Sequence, residues 1–268
     1  MAPQKKTDRQ RWRKRRRSGP QRRRRSSSAE GSPTQHHDSP PVSVRGVLEV
    51  LSDGRGYLRL AENRYSPDGQ DVFVPLELIL EHDLKTGCEI TGEAVRGRRN
   101  QRLRSVQTVM GGAPEEFKKV TPFTRLTCID PIERLEVDQG NDPSLRIIDL
   151  IAPIGRGQRS LIVAPPRTGK TIILKKLAQV IREFHPEVHV MVVLIDERPE
   201  EVTDFRRSID AEVIYSSNDE PATQSIRVVE IVLERARRLV EAGVDVVILL
   251  DSLTRVARAY NSQTKDRG

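Results

Sequence analysis

Cysteines, long apolar runs and an apolar leader are all scarce or missing in this sequence. Cys88 and Cys128 are its only two cysteines, too few for a disulfide framework, and this favours a reducing cytoplasm. The longest apolar run, residues 244–250, is interrupted by Asp245 and falls far short of the roughly 18 residues that span a bilayer. No apolar core follows the first basic residues, which excludes a secretory signal. The sequence therefore predicts no membrane partner.

Acidic residues are nearly absent from the first 41 positions. This segment carries 13 basic and 3 acidic side chains, a net charge of +10, whereas the other 227 residues carry 33 basic and 35 acidic ones, a net charge of −2. Its only aromatic residue is Trp12, and it has too few apolar groups to offset the entropy lost on folding. Residues 1–41 are predicted to form a disordered basic tail that makes salt-sensitive contacts to nucleic-acid phosphates.

From Val42 onward, short apolar stretches alternate with turn residues. The pattern predicts strands at 44–51, 56–61, 71–75, 88–96 and 102–109, with a helical segment at 76–82. Five strands and one helical segment within residues 42–110 indicate a small OB-type (cold-shock-like) β-barrel. Residues 111–143, with their scattered prolines, are predicted to be a connector.

After residue 144 the predicted strands alternate with helices. Strands are expected at 145–151, 159–164, 188–195, 212–216 and 244–250, and helices at 170–184, 199–208, 221–241 and 253–260. This alternation is typical of a parallel sheet flanked by helices. The expected fold is therefore multidomain, with the barrel followed by an α/β domain over residues 144–268.

The segment APPRTGKT, residues 164–171, fits the phosphate-loop pattern, except that alanine replaces the usual first glycine. An apolar strand is expected to enter this loop and a helix to leave it, as the motif requires. Backbone N–H groups of such a loop wrap around phosphates. Lys170 would then reach the terminal phosphates of ATP, and the Thr171 hydroxyl would bind Mg²⁺.

Acidic residues end two of the predicted apolar strands. Strand ends of a parallel sheet gather beside the phosphate loop, so Asp251 can hold the Mg²⁺ shell, although an aspartate after a strand is more often a helix cap. Asp196 and Glu197 follow another strand, where a carboxylate can orient and deprotonate water. Glu197 is the preferred base, but a helix cap at Asp196 with a salt bridge at Glu197 fits the spacing about equally well.

One face of the barrel combines aromatic rings with charged groups. Strand alternation puts Arg55, Tyr57 and Arg59 on one face, and Phe73 on the same side of its strand as Asp71. Rings flanked by arginines form a stacking platform for unpaired bases. The alternative is that both rings pack beneath loops.

Four segments together resemble the bacterial transcription termination factor Rho family across roughly residues 44–261. They are IGRGQR (154–159), APPRTGKT (164–171), LIDERPEEV (194–202) and LDSLTR with ARAYN (250–255 and 257–261). The resemblance implies a RecA-like P-loop ATPase core that depends on RNA, assembles as a homohexamer and moves 5′→3′ along RNA in the bacterial cytoplasm. It also implies an OB domain that prefers single-stranded, cytidine-rich RNA, with RNA polymerase and elongation factors as further partners.

The resemblance assigns roles to individual residues. It implies that Lys170, Glu197 and Asp251 are catalytic, with Glu197 as general base, and that Thr171 and Asp251 are the metal ligands. The other implied nucleotide contacts are Gly155, Arg156, Gly157, Gln158, Arg159, Ser160, Arg167, Thr168, Gly169, Ile172 and Arg198. The implied RNA contacts are Gly54, Arg55, Gly56, Tyr57, Leu58, Arg59, Asp71, Val72, Phe73, Arg98, Arg99 and Asn100.

The sequence also departs from the family pattern. Arg55 stands where the family commonly has an aromatic residue, which replaces a stacking surface with a cation, and Arg167 replaces a common lysine. The chain ends at Gly268, before the family's central-channel RNA loops and arginine finger. It is therefore expected to be a C-terminally truncated product, with an incomplete ATPase core that hydrolyses ATP poorly or not at all.

Two competing interpretations remain beside the termination motor. The first is an RNA-binding module whose nucleotide loop is vestigial or regulatory. The second is a rotary or export-type ATPase subunit, which shares the RecA-like core and a preceding barrel. The outward pattern of rings and arginines argues against the second, because an assembly barrel has no need of a base-stacking face.

Overall fold

Short strands separated by turns close the first part of the chain into a barrel. The computed structural model describes residues 40–97, 100–140, 142–165 and 168–265, so most of the predicted tail lies outside the described residues. The barrel strands are Val42–Val50 (β1), Gly56–Arg59 (β2), Val72–Val74 (β3), Glu89–Arg96 (β4) and Gln101–Val109 (β5), in the order β1-β2-β3-β5-β4, with the helix Leu76–Glu81 (α1) following β3. These elements confirm the predicted strands and the OB-type barrel.

Alternate residues of the barrel strands form its core, as the pleat requires. Leu48, Leu58 and Ile90 are each at most 2% exposed. Gly56 lies so close to this core that a Cβ atom there would approach Cδ1 of Ile79 to 2.8 Å. A side chain at this position would therefore force the neighbouring core side chains to shift.

The second part of the chain is an α/β unit built on a parallel sheet. Its elements are Pro114–Phe117 (α2), Arg134–Leu135 (β6), Pro143–Ile151 (α3), Ile154–Gly155 (β7), Lys170–Phe184 (α4), His189–Glu197 (β8), Pro199–Ser208 (α5), Glu212–Ser217 (β9), Ala222–Glu241 (α6), Val246–Asp251 (β10) and Leu253–Lys265 (α7). The sheet has the order β10-β8-β9 with parallel pairing, and β6 pairs with β7 separately. None of the described helices is long and apolar enough to cross a membrane.

The central strand β8 is buried on both faces. Val192 and Leu194 belong to the apolar cluster shared with α4 and α5, whereas Met191 and Val193 belong to the cluster shared with α6. A continuous apolar run is what a parallel strand covered by helices on both sides requires. The parallel alignment places the carboxyl ends of β8 and β10 at one edge of the sheet.

The predicted strand at 145–151 is wrong, because this segment is the helix α3. The Asp142 carboxylate accepts hydrogen bonds from the backbone N–H groups of Ser144 and Leu145, at 2.9 and 3.2 Å, and Pro143 occupies the first turn. An aspartate cap followed by proline is a strong helix start. The apolar run that follows fits the period of a helix or of a strand, and the start signal decides for the helix.

The predicted strand at 159–164 is also wrong. Residues 159–165 have no regular structure, and the side chains of Leu161 and Val163 are 69% and 84% exposed. A strand needs a hydrogen-bonded partner. In the part of the chain that the structure describes, β10 is the outermost strand of its sheet, and residues 159–164 do not pair with it. Apolar β-branched residues favour a strand but do not supply the partner.

Helix α6 lies between the barrel and the sheet. A Cβ atom on Gly87 would lie 2.4 Å from the carbonyl carbon of Glu234, so the barrel backbone packs directly on this helix. Arg235 of α6 pairs with Glu89 of β4 at 3.3 Å and with Glu212 of β9 at 2.9 Å. The barrel and the sheet therefore contact the same helix through buried ion pairs.

Candidate nucleotide site and nucleic-acid interface

The amino terminus of α4 forms the first part of the candidate nucleotide site. Gly169 is its N-cap, with a φ of +93°, a left-handed conformation that favours glycine. This turn lets the helix begin at Lys170, with free N–H groups in its first turn directed out of the helix end. The Thr168 hydroxyl donates to the carbonyl of Pro165 at 2.7 Å. Such a helix end attracts phosphate through its N–H groups and its dipole.

The carboxyl end of β10 meets this helix. The Thr171 hydroxyl donates a 2.8 Å hydrogen bond to Oδ2 of Asp251, the last residue of β10, whose side chain is buried. The two residues are 80 positions apart in the sequence, and the parallel sheet brings them together. A hydroxyl and a carboxylate oxygen side by side are hard donors of the kind that Mg²⁺ binds.

A β-bulge shapes the end of β8. The pairing with β9 passes from Ile195 opposite Ser216 to Glu197 opposite Ser217, so Asp196 is an extra residue. Asp196 has a φ of +58°, and its N–H group donates to Oγ of Ser216 at 3.1 Å. Bulges next to active sites re-aim side chains. Here the bulge sets the direction of Glu197.

Glu197 is buried among charges at this sheet edge. Burial, together with the negative charges of Glu201 and Asp251, raises the pKa of its carboxyl to about 7 against the opposing charge of Arg255. Arg255 Nη2 lies 3.4 Å from Oε1 of Glu197. A carboxyl group with a pKa near neutrality can exchange a proton at neutral pH.

Arg255 and Glu201 are the two site residues that the sequence analysis missed. Arg255 is the third residue of α7, and its guanidinium also approaches Oδ2 of Asp196 at 3.8 Å. A cation in the first turn of a helix interacts unfavourably with the helix dipole, so an arginine at this position indicates a nearby carboxylate that pairs with it. Glu201 lies in the first turn of α5, and only the fold brings its charge near Glu197.

The barrel presents two aromatic rings on neighbouring strands. Tyr57 of β2 pairs directly with Phe73 of β3, and the half-buried rings meet edge to face, with centroids 5.8 Å apart and an angle of 65°. The Arg59 guanidinium lies over the Tyr57 ring, 5.0 Å from its centroid. Because both rings stay partly exposed beside a cation, they keep the geometry of a stacking platform.

The charged groups around the rings are already paired within the protein. Arg59 is only 4% exposed, and it pairs with Asp71 and, at 2.6 Å, with Glu49. Arg55 remains exposed and pairs with Asp53 at 2.6 Å. The face is therefore less open to phosphate than the alternation of residues suggested. A ligand reaches the Arg59 guanidinium by competing with its carboxylates.

Two known protein families match separate parts of the chain. Residues 44–115 match the RNA-binding domain of Rho termination factor, and residues 144–265 match the nucleotide-binding domain of the ATP synthase alpha/beta family. The chain is 50% identical over 230 residues to transcription termination factor Rho of Cereibacter sphaeroides, an alignment that covers 83% of this chain and 54% of that protein. It is 47% identical over 235 residues to Rho of Aquifex aeolicus, covering 85% and 54%.

The chain is a homologue of transcription termination factor Rho. It spans about half the length of the curated relatives it matches. The Rho-type RNA-binding barrel precedes the nucleotide-binding domain in the sequence, which confirms the predicted order of a barrel and an incomplete P-loop α/β core. The shared nucleotide-binding family also explains why a rotary ATPase subunit fitted the second part of the sequence. The boundaries of the predicted tail and connector stay predictions.

The structure does not place Arg156 of this Rho homologue beside the Thr171–Asp251 pair. Arg156 pairs with Glu187 at 2.7 Å and also with Asp245, which directly precede the amino ends of the sheet strands. Asp251 lies at the opposite end of β10, about 20 Å away at the usual rise per residue. Gly155 pairs within β6 and β7, Arg159 and Ser160 are exposed, and the nucleotide role of the segment stays a prediction.

Other predicted contacts of the Rho homologue occupy varied places. Ile172 is 60% exposed in the first turn of α4, and Arg198 is exposed at the start of α5, next to Glu197. On the barrel, the side chains of Leu58 and Val72 belong to the core, and their RNA contacts stay predictions. Gly54 has a φ of +81° in the β1–β2 turn, and the Asn100 amide donates to the carbonyl of Asp71 at 3.1 Å. Arg98, Arg99 and Arg167 lie outside the described residues.

Proposed function

We propose that this Rho homologue is an RNA-dependent ATPase that binds single-stranded, cytidine-rich RNA and moves 5′→3′ along nascent RNA to terminate transcription. The proposal extends to a homohexamer in the bacterial cytoplasm that meets RNA polymerase and its elongation factors. One observation carries the ATPase part of it. The Thr171 hydroxyl, at the start of α4, and the Asp251 carboxylate, at the end of β10, lie 2.8 Å apart. Glu197 lies at the same carboxyl end of the sheet.

The phosphate-binding end of the site is formed by α4. The Lys170 amine and the N–H groups of the first helical turn bind the β- and γ-phosphates of ATP. Thr171 and Asp251 supply the oxygen atoms that fit a magnesium ion. When bound, Mg²⁺ neutralises negative charge on the phosphate oxygens. Asp251, which accepts a hydrogen bond from Thr171, would hold this metal together with the Thr171 hydroxyl.

Glu197 supplies the proton acceptor for the attacking water. Its pKa of about 7 means that near pH 7 about half of the groups are ionised and able to accept a proton. Arg255, with Nη2 at 3.4 Å, orients the carboxylate and stabilises its charged form. The bulge at Asp196 holds the backbone that carries this carboxylate.

The barrel supplies the RNA part of the function. Tyr57 and Phe73 offer ring faces that stack on unpaired bases, which selects single-stranded over duplex RNA. Arg59 and Asp71 stand beside the rings as a donor and an acceptor for a base edge. The exposed Arg55 adds a cation at the turn where many homologues would stack a ring, so it contributes charge instead of stacking.

We also propose that this 268-residue chain hydrolyses ATP slowly. Residues 159–165, which lead into the phosphate loop, form no strand with the sheet. Leu161 and Val163 remain largely exposed. The loop is thus anchored through α4 but not through a preceding strand, and phosphate-binding geometry needs support on both sides.

Binding and turnover of ATP test this function together. We expect phosphate release by the chain to be slow, to rise when oligocytidine RNA is added, and to be abolished by Lys170→Ala. Lys175→Ala is the matched control, because Lys175 lies on the same helix but pairs with Asp204 at 2.7 Å. The control variant should bind a nonhydrolysable ATP analogue as the wild type does, whereas Lys170→Ala should bind it at least tenfold more weakly, about 1.4 kcal/mol.

Two outcomes would contradict the motor. Lys170→Ala with unchanged turnover would place hydrolysis elsewhere. Tight RNA binding with turnover that never responds to RNA would support the other candidate, an RNA-binding module with a vestigial nucleotide site. The unpaired segment 159–165 is the observation that favours this second function.

A further inference from the structure

Glu49 of β1 joins two arginines from different parts of the protein. Its Oε2 atom accepts from Nε of Arg59 at 2.6 Å on the barrel side. Its carboxylate also accepts from Nε and Nη2 of Arg227 at 2.9 and 2.7 Å. The Glu49 side chain is 13% exposed. One carboxylate therefore connects the candidate RNA face to helix α6.

The two arginines have different surroundings. Arg59 lies over the Tyr57 ring, where an RNA base or phosphate would compete for its guanidinium. Arg227 also donates from Nη2 to the carbonyl oxygen of Tyr65 at 2.5 Å. A ligand that draws Arg59 away leaves the buried Glu49 carboxylate with Arg227 as its remaining guanidinium partner. Because breaking a buried ion pair is strongly destabilising, Glu49 and Arg227 then move together to keep theirs.

Two residues before Arg227, α6 contacts the end of the sheet. The Ser225 hydroxyl lies 3.0 Å from the hydroxyl of Ser216 in β9, and both side chains are buried, at 5% and 0% exposure. Ser216 Oγ accepts the N–H group of Asp196 at 3.1 Å. Asp196 is the bulge residue that directly precedes Glu197. Polar contacts, joined within α6 by the backbone between Ser225 and Arg227, thus lead from the Tyr57 ring to the bulge residue beside the candidate general base.

We infer that Glu49 and Ser225 are positioning residues that couple RNA binding on the barrel to the nucleotide site through α6. The inference rests on the proposed function, since it needs both ligands to bind. Hydrogen bonds and ion pairs make up the path, except at the contact of Arg59 with the Tyr57 ring and at two short backbone segments, 225–227 in α6 and 196–197 in β8. A displacement at one end therefore changes the geometry at the other. Neither residue contacts a ligand, and both act through others.

The coupling is measured as a ratio of affinities. The dissociation constant of a nonhydrolysable ATP analogue with Mg²⁺ is determined for the chain alone and in saturating oligocytidine RNA, and the reciprocal RNA titration is run with and without the analogue. Thermodynamic linkage requires both ratios to agree. We expect the wild type to show a ratio of at least about fivefold, which lies at the lower end of typical coupling.

Two variants and one control test the path. Glu49→Gln removes the charge shared by the two arginines, and Ser225→Ala removes the contact with Ser216. Each should reduce the coupling ratio below about twofold, and the double variant should lose no more than the stronger single one, because residues on one path are not additive. Ser225→Ala should keep the wild-type RNA affinity measured without nucleotide. The control is Glu220→Gln, which breaks another ion pair between barrel and α/β unit, with Arg64 at 2.7 Å.

The outcomes separate the two proposals. If the wild type fails to bind one of the ligands, the proposed function is contradicted. If it binds both with a ratio of one, or if Glu49→Gln and Ser225→Ala retain the full ratio, the coupling path is contradicted while the function stands. A loss in Glu220→Gln equal to that in Glu49→Gln would mean that general loosening of the interface is responsible, which also overturns the inference.

Discussion

Arg255 Nη2 lies 3.4 Å from Oε1 of Glu197, a carboxyl group whose burial raises its pKa to about 7. Two opposing effects act on the pKa of this carboxyl group. Burial favours the neutral acid, and the guanidinium favours the carboxylate. At neutral pH such a group is populated in both its protonated and its ionised state, as general base chemistry requires.

Glu197→Gln should stabilise the fold at high pH but not at low pH. The folded pKa of about 7 exceeds the ordinary value of 4.5, so the folded chain binds a proton that the unfolded chain has lost. Stability therefore falls as the pH rises from about 4.5 through 7, and glutamine removes this loss. We expect Tm of the variant to exceed that of the wild type by several degrees near pH 8 and to lie close to it near pH 5.

Thermal melts at both pH values check this prediction. Glu200→Gln is the control, because it makes the same substitution at an exposed position in the first turn of α5. A Glu197→Gln gain of equal size at both pH values would contradict the raised pKa.

Thr171→Ala should weaken magnesium-dependent nucleotide binding. The variant removes the hydroxyl that donates to Asp251 at 2.8 Å and that is proposed to bind the metal. We expect the affinity for an ATP analogue in Mg²⁺ to fall at least tenfold, about 1.4 kcal/mol, and the affinity in EDTA to change little. Thr171→Ser keeps the hydroxyl and should remain within about threefold of the wild type. Equal losses with and without Mg²⁺ would assign Thr171 to packing.

Glu212→Gln should strongly destabilise the junction of barrel and sheet. Burial would raise the pKa of Glu212, but hydrogen bonds from His189 and Tyr65 and the charge of Arg235 lower it to about 2. Glutamine leaves the Arg235 guanidinium, whose side chain is 8% exposed, with Glu89 at 3.3 Å as its remaining charged partner. Breaking a buried pair outright costs about 3–5 kcal/mol, and the remaining pair keeps the expected cost toward the lower end of that range.

Urea denaturation measures this cost, with Glu234→Gln as the control for an exposed pair on the same helix. The pH dependence provides a second check. A depressed pKa contributes stability above about pH 4.5 that is lost as the pH falls toward 2, so the gap between wild type and Glu212→Gln should close on acidification. A gap that stays constant down to pH 2 would mean that the ionised carboxylate is not responsible.

Phe73→Ala should weaken the binding of single-stranded RNA by about 1–3 kcal/mol, the usual value of one base–aromatic stack. Phe123→Ala is a matched control, because Phe123 is also partly exposed and carries an arginine, Arg237, 5.9 Å from its ring centroid. Fluorescence anisotropy with labelled oligocytidine distinguishes them. Equal affinities of the two variants would show that the Tyr57–Phe73 pair only packs the barrel.

The sequence was most informative where a local pattern carries its own physical reason. Turn residues and alternation predicted the barrel strands, and the loop leading to Lys170 predicted the start of α4. Alternation failed where pairing decides, at residues 159–164, and where a cap decides, at α3. It also misjudged Arg59, because the carboxylates of Glu49 and Asp71 that bury it come from other strands.

The candidate site shows the same limit. Asp251 and Glu197 follow apolar strands, and a parallel sheet must gather such ends, so their proximity to Thr171 was predictable. The position of Arg255 depends on how α7 leaves β10, and the aim of Glu197 depends on the bulge at Asp196. Both are set by tertiary packing, which no spacing in the sequence reports.

We propose that one chain carries two separate sites, one for RNA on the barrel and one for nucleotide at Lys170. The most direct test titrates both ligands against Phe73→Ala and Lys170→Ala. We predict that Phe73→Ala loses RNA affinity and keeps its affinity for the ATP analogue without RNA, and that Lys170→Ala does the reverse. Loss of both affinities in either variant, or loss of neither, would contradict the claim.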